Sequence, residues 1–486
     1  MVHSRPAVDV AIVGGGLGGL ALAAGLQERG FDVHLFEAAP ELRTSTSTLI
    51  GLGGNAFSAL EGVSPQILQR LMPEGVQISE IRRTVQTDRG AKPEVFAAEP
   101  ASKLMTFRWA KVQSVLASIV NPERVHCNHR ATSYTEVADG EGGHVLLHFK
   151  GILGSVRARF VVAADGLKSP LRSVMLPQDA GPRYLGHMNF NALLYNPGQE
   201  VVNAHLPGQL KVYTDVASGI REQLDPLPLM VIDASGGYTF WQVRIRSDQP
   251  SFTETPVSNN AACPATNDLA SLSSQQLGAS APGEPSPNGD QEEPAKGPQP
   301  GMPYLVGGGL GVPGSKARVL DILDKAGFQD VIRVVQATPE ASIFERAILD
   351  RIPLDELPPW GDLQGSNAGN PEKSRSPLAS PGNRVVLLGD ALHAAHSGPG
   401  QGARTAFEDA HQLANILEAH RQELHGWKRP NALEPCATSS DSCSPNGNDA
   451  EGLARVVADY TSARLVRVCR MQRIAAEGCG LPCIRW

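Results

Sequence analysis

The sequence predicts an α/β fold in which a doubly wound parallel sheet carries an inserted antiparallel-sheet domain. Near the N-terminus, a strand over residues 8–13, a helix over residues 17–29 and a strand over residues 31–36 follow one another. This βαβ order is typical of a parallel sheet. Between residues 181 and 350, segments that alternate apolar and polar side chains, such as YTFWQVRI from Tyr238, favour antiparallel strands instead.

Composition and charge exclude several classes of protein. The chain has 486 residues, of which 41% are hydrophobic and 19% are charged, and this balance indicates a globular protein. A net charge of −7 without a long basic run argues against a nucleic-acid surface. No apolar run approaches the ~18 residues of a membrane-spanning helix. Because only a few residues precede the first strand, we expect no leader peptide and a cytoplasmic protein.

The seven cysteines are scattered and lack C-x-x-C spacing, so neither a metal finger nor a disulfide framework is expected. The parallel-sheet domain is predicted to comprise residues 5–85, 105–180 and 384–480. The antiparallel-sheet domain is predicted to comprise an excursion over residues 86–104 and the main segment 181–350. Within that segment, residues 253–303 are rich in Pro, Gly, Ser, Asn and Gln, and we expect them to form a disordered insertion. Shorter insertions are expected at residues 362–383 and 430–452.

Two stretches share the spacing G-x-G-x-x-G: IVGGGLGG at residues 12–19, with Gly14, Gly16 and Gly19, and LVGGGLGVPG at residues 305–314, with Gly309, Gly311 and Gly314. A phosphate-binding loop of this type also needs a strand before it, a helix after it and an acid that closes the next strand. The first copy has all three, and Glu37 is the closing acid. The second copy lacks a following strand that ends on an acid, so we expect a flexible loop there. The sequence therefore predicts one site for an adenine dinucleotide, at the N-terminus.

Two later strands each end on an aspartate. RFVVAAD ends at Asp165, and RVVLLGD ends at Asp390, which is followed by a glycine-rich turn and a helix from about Ala403. An aspartate at the carboxyl edge of a parallel strand can accept a hydrogen bond from a ribityl hydroxyl. The turn Gly400–Gln401–Gly402 offers backbone amides and a positive helix end to a ring that becomes anionic on reduction.

These segments together resemble the FAD-dependent monooxygenases of the p-hydroxybenzoate hydroxylase type, the group A flavin monooxygenases. The motifs GGGLGG…E, DGLKSPLR and GDALHAAHSGPGQG occur in the order of that family and span nearly the whole chain apart from the insertions. Within this family, the chain resembles the zeaxanthin-epoxidase-like and salicylate-hydroxylase-like members. The resemblance implies a Rossmann-like parallel-sheet FAD-binding domain with an inserted antiparallel-sheet substrate domain.

The resemblance also implies which residues contact FAD. The ADP half would be held by Gly14, Gly16, Leu17, Gly19 and Glu37. Two arginines, Arg43 and Arg108, would lie near the cofactor, with Arg108 as a phosphate ligand. Asp165 matches a position linked to both FAD and transient NAD(P)H binding, and Asp390 matches the aspartate that binds the ribityl chain. The turn beside the flavin ring would be formed by Gly400, Gln401 and Gly402.

The sequence departs from the family pattern at two places. Ser397 stands where a proline is usual in the flavin-facing turn, and Trp109 stands where an arginine is usual, one residue after Arg108. A metal site built from His393 and His396 with Glu408 or Asp409 is a further possibility, but their place in the flavin turn argues against a metal. In the C-terminal helix, the side that carries Arg464, Arg467 and Arg470 is expected to be solvated.

The implied function is oxygen transfer. NAD(P)H would bind transiently and reduce FAD, and one atom of dioxygen would then be inserted into an aromatic or isoprenoid-like small molecule. The sequence assigns no catalytic side chain and no oligomeric state. Two alternatives stay open: a flavin reductase or dehydrogenase of the same fold that inserts no oxygen, and an FAD-binding protein whose catalysis has decayed.

Overall fold

Among the residues that it describes, the computed structural model contains two sheets and three clusters of buried apolar side chains. It describes residues 8–43, 48–86, 94–138, 143–152, 154–196, 209–215, 224–247, 308–326, 329–357, 376–424, 427 and 449–477. The insertion predicted at residues 253–303 lies outside the described residues, as do most of the shorter insertions predicted at 362–383 and 430–452.

In the part of the chain that the structure describes, the smaller sheet has seven strands and is built around three parallel neighbours. In spatial order its strands are β6 (Val125–His126), β2 (Val33–Phe36), β1 (Val8–Val13), β9 (Ser155–Ala163), β8 (His144–Phe149) and β7 (Ala131–Val137), and β16 (Val385–Leu387) pairs with the second half of β9. The central strand β1 is parallel to both β2 and β9. This arrangement confirms the parallel sheet predicted from the βαβ order.

Within the described residues, the larger sheet has nine strands and is almost entirely antiparallel. Its order is β14 (Gly308–Leu310), β15 (Phe344–Asp350), β10 (Arg183–Tyr195), β13 (Tyr238–Arg246), β12 (Leu224–Asp233), β11 (Gln209–Asp215), β4 (Val76–Gln86), β5 (Glu94–Arg108) and β3 (Leu49–Leu52). The pairing of β11 with β4 is the parallel exception. Strands β3 and β4 join this sheet although they lie within residues 5–85, which we assigned to the parallel-sheet domain. The domain boundaries themselves stay predictions.

The helices pack against the two sheets. They are α1 (Leu17–Glu28), α2 (Gly54–Val63), α3 (Pro65–Leu71), α4 (Trp109–Ala117), α5 (Pro170–Met175), α6 (Ser315–Ala326), α7 (Gln329–Ala337), α8 (Asp390–His393), α9 (Gly402–Ala419) and α10 (Ala450–Glu477). In the main core, α1 and α9 contribute buried leucines and alanines that pack with the smaller sheet. A second core lies between β10, β13 and the helices α6 and α7. Among the described helices, none combines the length and the apolar character needed to cross a membrane.

The second glycine stretch differs from the expected flexible loop. Its described part forms β14, which pairs antiparallel with β15, and a turn in which Gly311 and Gly314 have positive φ angles of 66° and 80°. Helix α6 begins directly after this turn, at Ser315. Because the strand before the helix is antiparallel to its neighbour, this segment is not part of a βαβ unit.

Candidate functional site

Four of the candidate residues follow the ends of neighbouring parallel strands. Gly14 follows β1, Glu37 follows β2, Asp165 lies two residues beyond β9, and Asp390 lies three residues beyond β16. Because the carboxyl ends of parallel strands share one edge of a sheet, these positions all lie along the same edge. Open α/β sheets bind their ligands in the crevice at this edge.

The glycine loop is compact because two of its glycines are in close contact with backbone. Gly14 has a φ of +110°, and a Cβ atom at this position would collide with the carbonyl oxygen of Ala164. A Cβ atom on Gly19 would collide with the carbonyl oxygen of Gly14. Both glycines are therefore required for the approach of the loop and α1 to the sheet.

Gly16 is different, since a Cβ atom placed on it would meet nothing within 4 Å. It precedes Leu17, the first residue of α1, and this helix has no side-chain cap and no acidic residue in its first turn. The free amide N–H groups of a helix N-terminus attract phosphate. The open space at Gly16 is thus where a pyrophosphate could approach the backbone, while the Leu17 side chain is buried in the core.

Glu37 fixes the conformation of the loop. Its Oε2 atom accepts a hydrogen bond of 2.6 Å from the Gly15 amide, and its Oε1 atom accepts one of 2.8 Å from the Ala39 amide. The Gly15 carbonyl in turn accepts a 2.7 Å hydrogen bond from the buried amide of Gln113 in α4. Each carboxylate oxygen has two lone pairs, so Glu37 retains the capacity to accept a hydrogen bond from a ribose hydroxyl. Gln113 belongs to no motif, so the sequence does not reveal this role.

The two arginines predicted near the cofactor lie against aromatic rings. The Arg43 guanidinium carbon is 5.4 Å from the centre of the Trp109 ring, and that of Arg108 is 4.8 Å from the centre of the Tyr238 ring. Trp109, at the position where the family usually has arginine, therefore stacks with the nearby Arg43. Arg108 contacts β13 of the larger sheet through Tyr238.

Asp165 is an unusual carboxylate. Both of its oxygens are shielded from solvent, and neither has a hydrogen-bond partner of normal geometry among the described residues. Burial raises the pKa of Asp165 to about 6, although the Ser169 hydroxyl and the Leu171 amide lie close enough to oppose the rise. A buried carboxyl without a protein partner fits a ligand that brings its own hydrogen-bond donor.

A buried cluster connects the Asp165 segment to the Asp390 segment. Arg172 is fully buried; its Nε atom donates a 2.6 Å hydrogen bond to Asp179 and its Nη1 atom donates to the carbonyls of Ala391 and Leu392 in α8. Arg351 also donates to Asp179, at 3.2 Å, and to the carbonyl of Leu167, at 2.8 Å. The arginine of the motif DGLKSPLR is therefore a positioning residue, since it holds two parts of the site together.

The Asp390 carboxylate is exposed at the start of α8 and lies at the entrance to the glycine-rich turn. Gly402 is the first residue of α9, and a Cβ atom placed on it would lie 4.0 Å from Oδ1 of Asp390. Gly400 has a positive φ of 64°, and Gln401 is buried, with its Oε1 atom 3.4 Å from the Asn55 amide nitrogen. The turn thus presents the amides of the α9 N-terminus beside an exposed carboxylate.

The histidines of this turn have other partners than a metal. His393 is fully buried and its Nε2 atom is 2.6 Å from Oδ2 of Asp409, which also accepts a hydrogen bond from the Gly389 amide. The ring of His396 lies 5.3 Å from that of His187 in β10. Among the described residues, no group of three or more His, Cys, Asp and Glu side chains is arranged to hold a metal ion.

One expectation about the C-terminal helix was wrong. Arg464 is buried rather than solvated, and its Nε atom donates a 2.7 Å hydrogen bond to Asp409. Arg467 is more exposed and pairs with Glu408, whereas Arg470 is exposed as expected. The helix period in the sequence does not reveal that two acids of α9 lie opposite this side of α10.

The site fits FAD. Three features together offer phosphate and hydroxyl binding along one sheet edge: the open space at Gly16, the helix N-termini of α1 and α9, and the unpartnered oxygens of Asp165.

Comparison with known proteins also indicates FAD binding. Residues 7–203 match a family described as "FAD binding domain".

Several curated proteins are similar over most of the chain. A chloroplastic zeaxanthin epoxidase of an Oncidium hybrid cultivar is 24% identical over 437 residues, which cover 87% of this chain and 50% of the relative. An aurachin C monooxygenase/isomerase of Stigmatella aurantiaca is 23% identical and covers 85% of this chain and 81% of the relative. The chain thus spans about half the length of the zeaxanthin epoxidases that it matches.

Solved structures share the fold. HpxO of Klebsiella pneumoniae, in complex with FAD and uric acid, superposes with a TM-score of 0.60 at 18% identity, covering 97% of this chain and 88% of that one. A salicylate hydroxylase in a substrate complex superposes with a TM-score of 0.57 at 18% identity, covering 98% and 89%. The family match assigns an FAD binding domain to residues 7–203, in agreement with this fold. The chain is a relative of the FAD-dependent monooxygenases, as the three motifs predicted.

Proposed function

We propose that this protein is an FAD-dependent monooxygenase that consumes NAD(P)H and inserts one oxygen atom from dioxygen into an aromatic or isoprenoid-like small molecule. The observation that carries the proposal is the single sheet edge along which Gly14, Glu37, Asp165 and Asp390 follow neighbouring parallel strands. The resemblance of the chain to named monooxygenases supports the reaction class.

The residues of this edge would divide the cofactor between them. Gly14, Gly16 and Gly19 would give the pyrophosphate access to the amides of α1, and Glu37 would accept hydrogen bonds from the ribose. Arg43 would lie beside the ADP half, and Arg108 is proposed as a phosphate ligand. When bound, FAD supplies reduction by NAD(P)H and activation of dioxygen.

The remaining candidates would act at the flavin end. Asp390 would accept a hydrogen bond from the ribityl chain, and the amides of Gly400, Gln401 and Gly402 would stabilise negative charge on the reduced ring. Asp165 would accept a hydrogen bond from FAD or from the transient NAD(P)H. The larger sheet would cover the ring, exclude water and orient the substrate.

The test begins with the visible absorption spectrum of the purified protein, before and after anaerobic addition of NADPH or NADH. We expect a two-band flavin spectrum that bleaches, and faster bleaching with some candidate substrates. Mass spectrometry under ¹⁸O-labelled dioxygen should then show one labelled atom in the product. Absence of flavin after reconstitution with FAD would overturn cofactor and function together. Reduction without label in any product would instead favour the non-oxygenating reductase.

A further inference from the structure

The larger sheet has one apolar face, and its other face is polar near the candidate flavin site and apolar farther along the strands, at Leu193, Ile232 and Phe240. Met188 and Phe190 of β10 and Trp241 and Val243 of β13 belong to the second core, on the side of α6 and α7. Because side chains alternate along a strand, the residues between them lie on the opposite face. These residues are polar but deeply buried: His187, Asn189, Asn191, Gln242 and Arg244.

Three of the polar side chains form a row across the strands. Asn189 of β10 is directly opposite Arg244 of β13 on one side and opposite Arg346 of β15 on the other. Directly opposed residues in antiparallel strands have Cβ atoms about 5 Å apart. The row therefore places two guanidinium groups on either side of one amide. Arg244 is 2% exposed.

The row contacts the segment that would surround the flavin ring. Arg244 donates a 3.2 Å hydrogen bond from Nη2 to the Ser397 hydroxyl, at the position where the family usually has proline. Arg346 lies close enough to Asp390 for their charges to interact, and the rings of His187 and His396 lie edge to face. Substrate held by the row would thus lie between the larger sheet and the flavin-facing turn.

The row is rich in positive charge and in unused hydrogen-bonding atoms. Burial, and then the charge of Arg244, lower the pKa of Arg346 to about 10, so Arg346 stays protonated at neutral pH. Two atoms of the row are shielded from solvent and have no hydrogen-bond partner among the described residues: Nε of Arg346 and Oδ1 of Asn189. The same holds for Nε2 of the neighbouring Gln242. Buried polar atoms in native proteins are normally satisfied, so these atoms point to a ligand.

We propose that the row Arg244–Asn189–Arg346 binds the acidic group of the substrate, while Oδ1 of Asn189 accepts a hydrogen bond from a neighbouring hydroxyl or N–H group of the same molecule. The substrate is then a small organic acid with a donor beside its acidic group, such as a hydroxylated aromatic carboxylate. A neutral isoprenoid would offer no hydrogen-bond partner to Oδ1 of Asn189 or to Nε of Arg346. This inference rests on the proposed function and selects between its two substrate classes.

Acid selectivity is tested by binding to the purified protein with its FAD bound, without NAD(P)H. The probes are three carboxylates and their neutral carboxamides: benzoate, salicylate and 3-hydroxy-2-naphthoate. Affinities come from calorimetry and from perturbation of the flavin spectrum. Because charge-assisted hydrogen bonds are strong, we expect at least one acid to bind ~10-fold or more tightly than its amide, and most tightly where a hydroxyl is adjacent.

Variants assign the selectivity to the row. Arg346→Met should weaken binding of the acid by ~10-fold or more and binding of the amide by less than ~3-fold. Arg346→Lys keeps the charge and should retain part of the selectivity, while a normal FAD content shows that the variants fold. The matched control is Arg333→Met, which removes an arginine from the exposed side of α7, beyond the opposite face of the sheet.

Three results would overturn the inference. They are equal affinity for acids and amides, no binding of any acid at millimolar concentration, and equal loss of acid and amide binding in Arg346→Met. A variant with unchanged acid affinity but weaker NADPH binding would assign the row to the phosphate of the nucleotide instead. None of these measurements requires oxygen transfer, so acid selectivity without a labelled product would contradict the proposed function alone.

Discussion

Arg464 in α10 donates a hydrogen bond of 2.7 Å from Nε to Oδ1 of Asp409 in α9, and both side chains are buried. The other oxygen of Asp409 binds the Gly389 amide and the His393 ring. One carboxylate thereby connects the C-terminal helix to the residue that precedes Asp390. The C-terminal helix consequently supports the candidate flavin site although it contributes no predicted ligand.

Replacement of Arg464 by methionine should destabilise the protein. The change leaves the Asp409 carboxylate buried without its arginine, and breaking a buried ion pair in this way costs about 3–5 kcal/mol. The free energy of unfolding in urea measures the effect, and the FAD content should fall as well. Arg470→Met, on an exposed position of the same helix, is the control and should change stability by less than ~0.5 kcal/mol. Equal stabilities of the two variants would contradict the role of Arg464.

The Asp409 cluster should also contribute to acid sensitivity. Burial alone would raise the pKa of Asp409, but His393 and Arg464 hold it at about 2. A carboxyl with a lower pKa in the folded than in the unfolded chain stabilises the fold above its unfolded pKa, near 4, and loses this contribution as the pH falls toward 2. The unfolding free energy of the wild type should therefore fall more steeply between pH 5 and pH 3 than that of Asp409→Asn. Parallel pH profiles would show that Asp409 has no part in this loss.

Asp165 should have the opposite pH dependence. Its pKa of about 6 in the folded protein lies above the unfolded value near 4. Ionisation of the buried carboxyl therefore costs stability as the pH rises from 4 through 6, by up to about 3 kcal/mol at 1.4 kcal/mol per pKa unit. In the protein freed of FAD, Asp165→Asn should match the wild type near pH 4.5 and exceed its melting temperature at pH 8. A difference that does not change with pH would refute this explanation.

Local patterns in the sequence predict the elements of the first βαβ unit well. The helix predicted over residues 17–29 is found at Leu17–Glu28, and the strand predicted over 31–36 is found at Val33–Phe36. Both depend on interactions between residues close in the chain, which glycines and apolar periods reveal. The strand ends that carry the candidate ligands could be predicted from the same local patterns. Once the strands are parallel, their carboxyl ends lie at one edge of the sheet.

The pairing of strands that are distant in the sequence could not be predicted from local patterns. The parallel pairing of β4 with β11 joins residues more than a hundred positions apart, and no local pattern indicates it. The burial of Arg464 and Arg172 could not be predicted either. Each lies in a segment that reads as an ordinary helix, yet each is buried against acids or carbonyls from distant segments. Charge in a sequence shows the need for a partner without showing which residue supplies it.

Asp390→Ala should release flavin while the fold persists. The carboxylate is exposed at the start of α8, so water can replace most of its charge interaction with Arg346 and the fold should persist. We expect the flavin absorbance per mole of protein to fall by at least ~10-fold at equal melting temperature of the apoproteins, since a hydrogen bond to a charged group is lost. Glu356→Ala, which removes an exposed carboxylate paired with Arg473, is the control. Full flavin occupancy in Asp390→Ala would show that this aspartate is not the ribityl ligand.

Two glycines of the first loop should respond differently to the same change. Alanine at Gly14 must adopt a φ of +110° and places its methyl group against the Ala164 carbonyl, so Gly14→Ala should fold poorly or lose several kcal/mol of stability. Alanine at Gly16 meets no protein atom within 4 Å, and the φ of −71° there suits any residue. Gly16→Ala should therefore keep the wild-type melting temperature without FAD but bind FAD at least ~10-fold more weakly, because its methyl group occupies the space assigned to the pyrophosphate. Circular dichroism and FAD titration of the two apoproteins separate these effects. Wild-type FAD affinity in a folded Gly16→Ala protein would show that the pyrophosphate lies elsewhere.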